Sequence, residues 1–393
     1  MTSTDSFGGN LWVRPGRPRP HNLRSTRPDW TARLTLGLPA KRLPATLGSL
    51  LNLCGHAHIA CADLAVSTAL RRGEAMQHEG SPISPQVLAR LTNETLREHL
   101  RRIWLDWPRH LTDTAEPMSN LDAPARELAG CPAFARTPSD ASGWIEAHVL
   151  GMPPKAWLAA WQADPAAWLE AWCKRSDLLP ARLLRGCRHV CDSTLPSARQ
   201  LRVHADAQTM RDWAAGFTSD GSTAARLPHW QGKCAETGAW TRLNDPVAAR
   251  LDTPWLRLGA RIADVVQLAD SQVLDVRPGS KAPADPARPW LSAGALPLAP
   301  REAVAWVEMS RGLLIHHVRL DGTGDDALVL ACHVIAPTDW NFHPDGAVAR
   351  ALAVLPDEPA SPARRRLDTL MSAYDPCVPF KEDQSMPVEC NHA

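Results

Sequence analysis

Apolar residues recur at helical spacing through the first two thirds of the chain, and the pattern changes to strand-like runs after residue 300. Ser84-Pro85-Gln86-Val87 reads as a helix start, with Ser at the N-cap and Pro at the first helical position. Val87, Leu88, Leu91, Leu96, Leu100, Ile103 and Trp104 then follow close to a helical period. Asp164-Pro165 starts another helix. Trp157, Trp161, Trp168 and Trp172 flank it at spacings of four, seven and four, which predicts a stripe of core or inter-helix packing. From Leu43 to about Leu274 the pattern is mostly helical. Leu313 to Leu320 and Ala327 to Ile335 are β-compatible runs joined by the turn residues Asp321 to Asp326, a β-hairpin signal. A short helix is predicted from Pro344 to Val354 and another from Ser361 to Ser372, just before Tyr374-Asp375-Pro376-Cys377. No internal repeat is present.

Punctuation between these runs predicts the organisation. Residues 1–42 form an Arg/Pro-rich leader (Arg14, Arg17, Arg19, Arg24, Arg27 and Arg33), read as an irregular, solvated arm on the surface. Residues 43–273 are the main helical part. Residues 274–300 are a Pro-rich connection, in which prolines 278, 283, 286, 289, 297 and 300 leave no room for a regular element. Residues 301–380 carry the hairpin and the C-terminal part of the same domain. Residues 381–393, with Cys390, are a solvated tail.

Composition narrows the function. The chain has 393 residues and 44% hydrophobic content, enough for a sizeable core and too apolar for wholesale disorder. Lys+Arg (43) and Asp+Glu (42) nearly cancel, so charge gives no reason to expect nucleic acid or an anionic membrane surface. The uncharged run Leu43 to Ala62 contains Asn52, His56 and His58, so no membrane span is expected, and the N-terminus lacks a signal-peptide core. The expectation is a cytoplasmic protein whose ten cysteines are thiols.

Four segments offer chemistry. Cys54-Gly55-His56-Ala57-His58-Ile59-Ala60-Cys61 places thiols and imidazoles close enough to hold a transition metal, although Cys-x6-Cys is no recognised zinc spacing. Cys187 and Cys191, at i and i+4, read as half-buried helix cysteines. Glu308 to Gly312 precedes the hairpin and Ala336 to Asn341 follows it, so the Arg311 guanidinium and the Thr338 hydroxyl should converge as donors lacking an acceptor. Asp375-Pro376-Cys377 is the fourth.

In this order the segments resemble the large subunit of the nickel–iron hydrogenases over roughly residues 45–380. That family carries an Arg-x-Cys-Gly-x-Cys motif, a Glu-x-Pro-Arg-Gly turn, a Pro-(Ser/Thr)-x-Trp-Asn turn and a late Asp-Pro-Cys-x-x-Cys motif. Cys54-Gly55, then Glu308, Arg311 and Gly312, then Pro337, Thr338, Trp340 and Asn341, then Asp375-Pro376-Cys377 match them in turn. Gly232 and Glu236-Thr237-Gly238 through Arg242 resemble a middle segment of the family. The implied fold is α+β, large-subunit-like, a predominantly helical core with smaller mixed α/β portions, in which Cys54 and Cys377 meet.

The departures set the implied function. The family's two terminal nickel ligands correspond to Cys54 and Cys377, but the metal-bridging positions are Ala57 and Phe380, which cannot coordinate. Nickel and hydrogen turnover are therefore not expected, and the protein should not be an enzyme. What survives is the part that, in the family, donates hydrogen bonds to the two cyanides on iron: Arg311 with Gly312, and Pro337 with Thr338. This pattern resembles the HupK/HoxV-type accessory proteins, as does Trp340 to Gly346. The resemblance implies a maturation scaffold that transiently holds Fe(CN)2CO and passes it to the hydrogenase large-subunit precursor. Cys54 and Cys377 would be its ligands, with Cys61, His56 or His58 as further candidates. Implied partners are a HypC-like small chaperone, upstream cyanide/CO–iron assembly proteins and the precursor itself. The alternative is a metal-free, large-subunit-like decoy or adaptor that binds maturation chaperones.

Overall fold

The computed structural model describes residues 8–51, 54–71, 83–112, 122–137, 139–217, 224–245, 251–271, 289–356 and 361–383. The helices that position the site are α1 (Trp30–Thr35), α2 (Leu43–Leu50), α3 (Gly55–Leu70), α4 (Pro85–Arg101), α5 (Pro154–Ala163), α6 (Pro165–Arg175), α7 (Pro254–Ser271), α8 (Pro337–Asn341), α9 (Ala347–Ala353) and α10 (Ser361–Tyr374). The strands are β1 (Leu11–Val13), β2 (Leu23–Ser25), β3 (Arg199–Gln200), β4 (Ala235–Glu236), β5 (Ala293–Ala299), β6 (Glu302–Met309), β7 (Gly312–Asp321), β8 (Leu328–Ile335) and β9 (Phe380–Glu382). The class is α+β, a helical body with smaller sheet portions, as the resemblance implies.

Local sequence sets the helix starts. Ser84 accepts the Val87 N–H at 3.3 Å and Asp164 accepts the Ala167 N–H at 3.0 Å, with Pro85 and Pro165 at the first helical positions. The tryptophan stripe is core. Trp157 stacks on Trp161 at 5.7 Å and meets Trp172 edge-on at 5.6 Å, and all three are buried. Each such pair adds about 0.5–1.5 kcal/mol beyond the area it buries.

The predicted hairpin is β7 and β8, centre and edge of an antiparallel sheet ordered β5-β6-β7-β8. Helix α3 lies on this sheet and against α2 and α4. Ala57, Ala60, Ala65 and Ala69 are buried along it, as expected of a helix with neighbours on several sides. The later helices also form, as α9 and α10.

Three expectations fail: those for the Pro-rich connection, for the leader, and for the start of the solvated tail, whose Lys381 and Glu382 belong to β9. The Pro-rich connection contains strand β5 in its second half, while its residues 272–288 lie outside the described residues. β5 is an edge strand whose register shifts between Pro297 and Ala299. An edge strand tolerates proline because its outward side needs no ladder donor. The leader is not a solvated arm either. β1 pairs antiparallel with β2 and parallel with β9, so Leu11 sits opposite Phe380 and the two ends of the chain share one sheet. Leu11, Val13 and Leu23 are buried, and Arg14 pairs with Asp383. Period-two alternation over three residues is too short to announce such strands. Cys390 lies outside the described residues.

Trp157→Ala should destabilise the fold by about 3–5 kcal/mol, the usual cost of removing a buried aromatic. Chemical denaturation reads this as a lower midpoint with an unchanged slope.

Candidate metal-fragment site

Segments from both ends of the chain and from its centre surround a cavity of about 1070 Å³. Cys54, the N-cap of α3, enters from one side. Arg311 enters from the tight turn between β6 and β7, Pro337 and Thr338 from the start of α8, and Cys377 from the loop after α10. Thr338 Oγ1 is 3.1 Å from Cys377 Sγ. His58, one helical turn after Cys54, also lines the cavity, and its Nδ1 is 3.1 Å from Nε2 of the buried His316.

The decisive side chain is Arg311. It is 3% exposed, and its Nε, Nη1 and Nη2 are each buried without a hydrogen-bond partner. Asp375 and Glu98 stand 3.6 Å away, close enough for Coulomb attraction and too far for a hydrogen bond. Asp375 is itself shared, forming an ion pair with Arg102 at 3.0 Å and accepting a hydrogen bond from Arg261 at 3.1 Å. The site therefore offers a charged fork of donors to an acceptor from outside the protein.

A layer of hydrogen bonds fixes this turn. Gly312 has φ +122°, and a Cβ there would lie 2.4 Å from Thr237 Oγ1, so only glycine fits. Leu313 N–H donates to Thr237 Oγ1 at 2.9 Å. Thr237 in turn exchanges two bonds with the Asn341 amide, at 2.9 and 2.8 Å. Arg242 grips Asp264 on α7 and donates to the Met309 carbonyl at 2.9 Å. Glu236 receives both arms of Arg257 and the Tyr374 hydroxyl. The middle segment is thus the buttress of the Arg311 turn. Glu308 points away from the cavity and accepts from Leu243 and Ser292 N–H groups.

Over 385 residues, 97% of this chain and 96% of the relative, the sequence is 40% identical to the hydrogenase expression/formation protein HoxV of Cupriavidus necator. It is 30% identical to the hydrogenase expression/formation protein HupK of Rhizobium leguminosarum bv. viciae, covering 91% of both. The chain belongs to the HoxV/HupK family of hydrogenase expression/formation proteins. No family model matches it. Its fold is that of hydrogenase large subunits: the nickel–iron–selenium hydrogenase of Desulfomicrobium baculatum superposes with a TM-score of 0.52 at 12% identity, over 93% of this chain and 95% of that one.

In this HoxV/HupK-type chain the structure gathers Cys54, Cys377, Arg311, Pro337, Thr338 and His58 at one cavity. Gly312 shapes the turn from behind. Two candidates fall elsewhere. The Cys61 thiol points at the sheet and donates to the Ala305 carbonyl at 3.4 Å. The His56 side chain is exposed. Helical phase accounts for His56, since two residues past Cys54 is the opposite face; Cys61, seven residues on, shares the Cys54 face but lies two turns further along the helix, against the sheet. The bridging-position residues are also absent from the lining: Ala57 is packed in the core, and Phe380 belongs to β9. Cys187 and Cys191 are more buried than half, at 1% and 0% exposure.

Sequence reading missed Arg27. It lines the cavity from the leader, and its Nη1 donates to Asp339 Oδ1 at 2.8 Å. Cys377, then Asp339 and Cys54, raise its pKa despite burial. Nothing in its local sequence marked it, because its neighbours arrive from residues 339 and 377.

Burial pushes the Cys54 thiol up to about 12, against the pull of Arg311, so without a ligand it keeps its proton. Burial lowers His58 to about 3, leaving a neutral imidazole. Asp375 behaves oppositely: burial opposes its charge, but Arg102, Arg311 and Arg261 outweigh that and hold it well below the usual carboxylate range.

A thiol whose pKa rises on folding stabilises the fold fully below its unfolded value, 9.0, and loses that contribution as pH climbs towards about 12. Thermal unfolding between about pH 9 and pH 11 should therefore show a shallower loss of Tm in Cys54→Ala than in the wild type. An identical slope would remove Cys54 from the buried set.

Proposed function

We propose that this protein is a hydrogenase-maturation scaffold that holds Fe(CN)2CO as cargo and delivers it to the large-subunit precursor, with no hydrogenase activity of its own. The observation that carries this reading is the buried Arg311 guanidinium, every nitrogen unfilled, in a cavity that also holds two cysteines. A buried charged donor left unmade costs on the order of 1–3 kcal/mol or more, so such a group is a poor structural element and a good receptor for an anionic acceptor. A cyanide nitrogen on iron is such an acceptor, and charge-assisted bonds to it are the stronger kind. Thr338, 3.1 Å from Cys377 Sγ, supplies a second donor beside the same ligand sphere.

The protein's own groups divide the work. Cys54 and Cys377 act as thiolate ligands, and Cys54 gives up its proton on loading. Arg311 and Arg27 offset the charge that two thiolates bring into a buried site. His58, a neutral imidazole on the same cavity, is the further candidate ligand for the iron. The supplying partners are cyanide- and CO-installing iron assembly proteins, with a HypC-like small chaperone sharing the fragment.

The test is infrared spectroscopy of protein purified anaerobically from cells making hydrogenase. Metal-bound CO and CN bands are expected in the wild type and should vanish in Cys54→Ala and Cys377→Ala. Wild-type protein without such bands, yet still required for hydrogenase formation, would replace this reading with the metal-free adaptor.

A further inference from the structure

A second group of metal-ligating side chains stands behind the cavity wall. Trp230 and Lys233 exchange both backbone hydrogen bonds, at 2.9 and 3.2 Å, across the two residues Gln231 and Gly232. Both of these have positive φ, 51° and 69°, the form of the tightest hairpin turn. The next pair outward, His229 and Cys234, is then a non-hydrogen-bonded pair, whose side chains share one face and approach most closely. His343 reaches the same point from just beyond α8. Ligand atoms of all three lie within 4.8 Å of one another.

Orientation favours coordination. His229 Nδ1–H donates to the Leu227 carbonyl at 3.0 Å, which leaves its Nε2 lone pair free, the usual arrangement of a ligating imidazole. The His229 and His343 rings meet edge-on at 4.6 Å. Cys234 Sγ is 3.3 Å from His343 Nδ1. Ligand bonds of about 2.3 Å to sulfur and 2.0 Å to nitrogen place S and N about 3.5 Å apart on a tetrahedral ion. His343 is buried, and burial lowers its pKa to about 4, so the ring is neutral. Its Nε2 has no hydrogen-bond partner, and its Nδ1 also takes the Asp345 N–H at 3.0 Å.

We propose that His229, Cys234 and His343 form a metal site separate from the Cys54–Cys377 cavity, taking a divalent ion of the zinc class. The ion replaces the Cys234 thiol proton, which leaves to solvent, and takes over the Nδ1 lone pair from the Asp345 N–H. The fourth position is left to water. Two cysteine-and-histidine-bearing segments are thereby clamped together. Leu227 and Phe342, next to the ligands, both line the cavity, so the clamp braces the wall that carries Thr338.

The test is titration of metal-free, full-length protein with Co2+ alone, under anaerobic conditions. A sulfur-to-cobalt charge-transfer band is expected at about one ion per chain. It should persist in the Cys54→Ala/Cys377→Ala double variant and disappear when Cys234→Ala is added to that variant. His229 is exposed, so His229→Gln tests the site without disturbing the core, and it should weaken cobalt binding by more than about 100-fold, beyond the loss of an outer hydrogen-bond partner. A band that survives Cys234→Ala added to the double variant, a band lost in the double variant itself, or unchanged affinity in His229→Gln would each overturn the proposal.

Discussion

Asp375 ties the site together. Its carboxylate receives Arg102 beyond the end of α4 and Arg261 from α7, and attracts Arg311 from the β6–β7 turn. Its own backbone sits at φ 51°, which turns the chain sharply after α10 towards Cys377. Removing one partner from a buried ion cluster costs on the order of 3–5 kcal/mol, so the loop carrying Cys377 is pinned to two helices and the sheet at once. The same sharing leaves Arg311 partly uncompensated. Asp375 anchors the fold through Arg102 and Arg261, while Asp375 and Glu98 attract Arg311 from 3.6 Å without taking its hydrogen bonds, which keeps a donor fork available.

Around this anchor, the site is positioned by elements that do not themselves enter it. His99 and Arg242 share Asp264 on α7, and Arg257, also on α7, grips Glu236, so two buried polar residues of this helix hold β4 and the Arg311 turn in register. Asn341 joins α8 to Thr237 and so links the Thr338 wall to the Gly312 turn. A rigid cavity with a preset pattern of donors recognises a fragment by shape and charge, with little ordering required on loading.

Much of this was legible in the sequence where the determinant is local. Ser84 and Asp164 announce their helices, and the two β-compatible apolar runs between Leu313 and Ile335, with the turn residues Asp321 to Asp326 between them, announce the hairpin that brings Arg311 and Thr338 to one end. Cys54 and Cys377 were legible only as motif positions, since nothing local says that residues at opposite ends of a chain meet. Arg27 was not legible at all, because its role depends on Asp339 and Cys377. β5 was hidden because the tolerance of Pro297 depends on which strand is the sheet edge. The exclusion of His56 was available from helical phase, whereas Cys61 is in phase with Cys54 and is removed only by its distance along the helix, which its contact with the sheet shows.

On the proposed reading, the unfilled Arg311 donors are where cyanide binds. The most direct measurement is the infrared spectrum of loaded Arg311→Gln protein beside the wild type. Losing a charged donor should move the CN stretches and leave the CO stretch comparatively still. CN bands unmoved in that variant, with the fragment still bound, would contradict it.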